Sequence, residues 1–126
     1  MTKILLIALG GALGAVSRYG LNVLIQSRLH SSGFPWGTFV INVSGSFVLG
    51  LLMTLLAAGV IRNTALQPMV GIGFIGAYTT FSTFEYETAQ LGMSWKALLN
   101  IVGSVVVGYM AVWIGIKLAE LFGAGR

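Results

Sequence analysis

Between Thr38 and Val60 the chain carries no charged side chain. A helix on a soluble protein needs a polar face, whereas one that crosses a bilayer needs about 20 mainly apolar residues, so this stretch predicts a transmembrane helix. The same pattern recurs along the 126 residues. Helices are predicted at approximately 4–26, 38–60, 68–89 and 95–121. Four spans with short loops use nearly the whole chain, so residues 1–126 read as a single transmembrane domain of the all-α class. Only 8% of the residues are charged, against roughly a quarter in a soluble domain. Lys3 and the run Ile4 to Val16 have the look of a signal peptide, but the apolar run continues past Arg18 to Ile25, and its removal would leave three helices.

The net charge of +4 does not make a nucleic-acid binder, because Lys3, Arg18, Arg28, Arg62, Lys96, Lys117 and Arg126 are scattered and form no basic patch. Most lie near helix ends, where cations bias orientation. Lys3, Arg62, Lys117 and Arg126 fall on one side of a four-span chain and Arg28 and Lys96 on the other, with Arg18 nearer the second. So weak a bias predicts insertion in both orientations. The absence of cysteine removes disulfides and thiolate sites, and one His with three carboxylates offers little to a metal cluster.

Gly10 and Gly14 stand in the GxxxG spacing that lets helix backbones approach closely, and Ala111 and Gly115 repeat it. The loop 27–37 holds His30, Pro35 and the interfacial Trp36. In the third segment Gly71, Gly73 and Gly76 precede Ala77-Tyr78-Thr79-Thr80-Phe81-Ser82-Thr83-Phe84. Glycine and paired threonines lower helix propensity, which predicts a helix broken in mid-membrane near 76–80. Irregular backbone at that depth survives only inside protein or beside a polar cavity, and such breaks build binding sites.

Intramembrane ionisable residues are functional candidates, and here they are Arg18, Glu85 and Glu87. No acidic residue is central to a span, so a proton relay has no carrier. The interior offers donors instead: Asn42, Ser44, Ser46, Thr79, Thr80, Ser82, Thr83 and Ser104. Thr79, Thr83 and Glu87 repeat every four residues, one polar stripe on a continuous helix. Phe81 and Phe84 lie on the adjacent face, and ring edges are the positive part of an aromatic quadrupole. A helix restarting near Thr80 would add its positive end. These features favour an anion pathway. Each residue also has a structural reading: Ser and Thr bond their own backbone, phenylalanines pack, and Arg18 snorkels to the interface.

The blocks Gly76 to Phe84, Gly37-Thr38-Phe39-Val40-Ile41-Asn42 and Gly10 to Tyr19, in that relation across the whole chain, resemble the CrcB/Fluc fluoride channels. The resemblance implies an antiparallel, dual-topology homodimer in the bacterial cytoplasmic (inner) membrane, with two pores that export fluoride passively. It implies that Asn42 is a pore amide, that Phe81 and Phe84 line the ion path, and that Ser82, Thr83, Glu87 and Ser104 continue it. It further implies a structural sodium ion (Na+) held by the carbonyls of Gly76 and Thr79, and for Arg18 either a vestibule or a structural role. Two other readings compete. A small four-helix drug exporter needs a carboxylate in its first helix, and 4–26 has none; a structural subunit of a membrane complex needs no polar track. No nucleophile and base pair suggests an enzyme.

Overall fold

The computed structural model describes residues 1–29 and 32–124, and among these it is helical with no strand. The expectations for His30 and Arg126 lie outside the described residues. Helix α1 spans Thr2–Leu29 and α2 spans Trp36–Ala57. Next comes α3, a π-helical stretch Gln67–Ile75 that passes directly into the α-helical turn Gly76–Tyr78. Helix α4 is Phe81–Gln90, and α5 is Trp95–Ala119 with a terminal π turn Glu120–Ala124. Glycines in the left-handed region, Gly59 at φ 70° and Gly92 at φ 60°, follow the last turns of α2 and α4, where a residue without a Cβ turns the chain at little cost.

Three helices are individually long and apolar enough to cross a bilayer: Thr2–Leu29, Trp36–Ala57 and Trp95–Gly123. Between α2 and α5, in the segment expected as a broken helix at 68–89, stand the shorter α3 and α4, separated at Thr79 and Thr80. The break itself is narrower than 76–80. Only Thr79 (φ −78°, ψ 156°) and Thr80 (φ −151°, ψ 118°) are extended, whereas Gly71, Gly73 and Gly76 stay helical.

Of these glycines, Gly73 packs against α1. A Cβ on Gly73 would come within 2.6 Å of the Ile7 carbonyl oxygen, and one on Gly10 or Gly14 would collide with the carbonyls of Met69 or Phe74. The pair α2 and α5 meets in the same way, since a Cβ on Gly50 would sit 2.5 Å from the Val112 carbonyl oxygen, and Gly115 lies against Phe47 and Leu51. Within each pair the two helices run parallel. Small residues also dominate the buried positions, whereas Leu5, Val16, Val105 and Ile114 are exposed. Large apolar side chains outside and small ones inside are what a bilayer solvent allows, where close packing rather than apolar burial joins helices.

Candidate functional site

The break is held open from α2. A continuous helix would direct the Thr80 N–H to the Gly76 carbonyl, four residues back, but Thr80 N donates to Asn42 Oδ1 at 2.8 Å while Asn42 Nδ2 donates to the Thr80 carbonyl at 3.0 Å. One side-chain amide thus satisfies both backbone groups of a buried residue. Thr80 then starts α4 as its N-cap, its Oγ1 accepting from Thr83 N at 3.3 Å and donating to Thr83 Oγ1 at 2.9 Å. The Thr83 N–H, the helical partner Thr79 would have had, is thereby used. Both the Gly76 and the Thr79 carbonyls lose their helical partners to these substitutions.

Beside the break lies a groove of about 290 Å³, walled by Asn42, Ser46, Thr79, Thr80, Phe81, Phe84 and Ser104 together with the apolar Gly45, Leu49, Ile75 and Val105. None of these is charged. The Phe81 and Phe84 rings lie 5.9 Å apart at 35°, and Phe81 is 70% exposed, so its ring forms the outer rim. Asn42 has two Nδ2 hydrogens, of which Thr80 uses one.

The other sequence candidates stand elsewhere. Arg18 and Thr83 line a second cavity of about 190 Å³ with Tyr19, Asn22, Thr38 and Thr80, so Thr80 is a wall common to both spaces. Ser82 is exposed and Glu87 half-buried, and neither lines either cavity. The stripe Thr79, Thr83, Glu87 does not form: two extended residues reset the helical phase, so Thr79 faces the groove and Thr83 the second cavity. Thr79 Oγ1 also donates to its own Ile75 carbonyl at 2.9 Å, the structural reading for that hydroxyl. Buried acceptors at Asn22 Oδ1 and Glu87 Oε2 have no partner among the described residues.

Sequence reasoning assigned no role to Thr88, Asn100 or Asn22. Asn100 donates to Thr88 Oγ1 at 2.7 Å and accepts from Ser104 Oγ at 3.3 Å, a connection between α4 and α5 directly behind the groove. The sequence shows of it only an amide inside the last apolar span, one turn before Ser104.

A family model described as CrcB-like protein, Camphor Resistance (CrcB), matches residues 5–116. The chain belongs to the CrcB family. CrcB relatives named fluoride-specific ion channel FluC include one from Acidobacterium capsulatum, 50% identical over 121 residues, covering 94% of this chain and 96% of the relative. Another, from Solibacter usitatus, is 48% identical over 121 residues with 94% and 98% covered. A third, from Thermus thermophilus, is 42% identical over 121 residues with 94% and 95% covered. The three sequence blocks that carry the CrcB resemblance converge on the break: Gly10 and Gly14 seat α1 on α3, Asn42 clasps Thr80, and Phe81 and Phe84 wall the groove.

Proposed function

We propose that this chain is a passive, fluoride-selective ion channel of the bacterial cytoplasmic membrane, working as an antiparallel homodimer with two pores. The observation that carries this reading is the groove at the break, which gathers an amide, hydroxyls and two phenyl rings without any charged wall residue. Fluoride is small and strongly hydrated, so a path for it must replace water with donors yet hold the ion loosely enough to release it. The free Asn42 hydrogen and the Ser46 hydroxyl are conventional donors, whereas Thr79, Thr80 and Ser104 already donate to Ile75, Thr83 and Asn100. The rings offer weakly positive edges between them. A fixed cation at the same place would bind more tightly and slow release.

The groove's outer rim supports pairing with a second copy. Phe81 at 70% exposure would otherwise present the ion path to lipid, and a second copy would close it. Near-balanced cations at the two ends agree with opposed orientations: Lys3, Arg62 and Lys117 against Arg28 and Lys96 among the described residues.

A structural sodium ion fits the residues present. The Gly76 and Thr79 carbonyls are those whose helical donors go to Asn42 and Thr80 instead, and a hard cation takes oxygen ligands. Sodium would neutralise the crowded carbonyls at the break, and two copies would supply two pairs of such oxygens.

Growth tests the function in a cell. In a bacterium without a fluoride exporter, expression of this chain should restore growth at inhibitory fluoride. No gain in tolerance from membrane-inserted protein would reject the proposal.

A further inference from the structure

Asn100 is 1% exposed and, with Ile41, is one of the two largest fully buried side chains among the described residues. An amide has no packing advantage at such a site, and a buried polar group must be satisfied. Its partners form a chain with one direction. Thr88 Oγ1 donates its only proton to the Phe84 carbonyl at 2.6 Å, so towards Asn100 it can only accept, and Nδ2 faces it at 2.7 Å. That orientation turns Oδ1 to α5, where it accepts the proton of Ser104 Oγ at 3.3 Å. Among the described residues this amide makes the one hydrogen bond between side chains of α4 and α5.

Phe84 and Ser104 line the groove, whereas Thr88 and Asn100 stand behind it. A hydroxyl has a single proton, and that of Ser104 points away from the groove towards Asn100. Only lone pairs would then meet an approaching anion. The Ser104 bond is long, however, against a usual O–H···O separation of about 2.7–2.8 Å. Donation to an anion is roughly twice as strong as donation to a neutral acceptor, so an ion in the groove would turn the Ser104 O–H towards itself, the proton staying on Oγ. When the ion leaves, the hydroxyl turns back and donates to Asn100 Oδ1 again.

We propose that Asn100 is a positioning residue of the ion path, accepting the Ser104 hydrogen bond between passages and opposing the turn of that hydroxyl enough to keep the ion loosely bound. This rests on the groove being a fluoride path. Asn100 does not touch the ion; it acts through Ser104, oriented by Thr88.

The test is a double-mutant cycle in proteoliposomes, with fluoride efflux measured for the unsubstituted protein, Asn100→Ala, Ser104→Ala and the pair. Asn100→Ala should slow efflux on the order of tenfold, the scale of one lost hydrogen bond. In the Ser104→Ala background it should slow efflux no further. Thr88→Val, which frees the amide to turn over, should show the same dependence on Ser104 and serves if Asn100→Ala does not fold. Losses that multiply, or full efflux in Asn100→Ala, would overturn the proposal and leave the fluoride reading intact. An unsubstituted protein that passes no fluoride would overturn both.

Discussion

Asn42 serves the break before it serves an ion. Its amide answers both the N–H and the C=O of Thr80, so Asn42→Ala should cost about 1–3 kcal/mol for each buried group left unpaired, read as a lowered unfolding temperature in detergent. Unchanged stability would mean that the break is held by something else. Phe81 and Phe84 are the sharper probes of conduction. Replacing either with Ile keeps apolar bulk but removes the positive ring edge, so Phe81→Ile or Phe84→Ile should reduce fluoride flux sharply in protein that still elutes as wild type, while Met, with its polarisable sulfur, should do less harm. Full flux in both Ile variants would make these rings packing residues. Part of this site was legible in the sequence: Asn42, Phe81, Phe84 and Ser104 line one groove, whereas Ser82, Thr83 and Glu87, expected on the same path, do not. Thr88 and Asn100 were not legible, because their roles depend on which way an amide faces, and that is decided by a proton on Thr88 that no spacing rule records.

At the scale of elements, the chain's glycines and its break are separate devices. The third segment was expected to break near 76–80, yet Gly76 to Tyr78 stay helical, and the unwinding is confined to Thr79 and Thr80. Propensity located the break to within a few residues; the Asn42 clasp, 38 residues away in the chain, chose the pair. That same confinement dissolved the polar stripe read through Thr79, Thr83 and Glu87, since periodicity holds only where the helix is continuous. Two glycines in α1 separate the packing role from mere helix propensity. Gly10→Val should destabilise the protein by about 1–3 kcal/mol or more through overpacking, because its Cβ meets the Met69 carbonyl. Gly20→Ala, with nothing within 4 Å of the added Cβ, should instead be neutral or gain about 0.5–1 kcal/mol from helix propensity. Thermal unfolding of the two variants side by side checks this, and equal behaviour would contradict close α1–α3 contact.

For the whole molecule, two polar cavities share one break, and the exposed Phe81 rim leaves the groove open to a neighbour. Opposed pairing predicts that Met93→Cys, fully exposed between α4 and α5 and the only thiol in the chain, is labelled by an impermeant reagent from both faces of the membrane. Labelling from one face alone would exclude antiparallel assembly. The central claim is that a neutral, donor-lined groove passes fluoride and not the larger halide. Purified protein in liposomes loaded with potassium fluoride or potassium chloride, with a potassium ionophore present, tests it through ion-selective electrodes. Rapid fluoride efflux with chloride retained is the predicted result. Retention of both ions, or equal loss of both, by protein that is folded in the bilayer would contradict it.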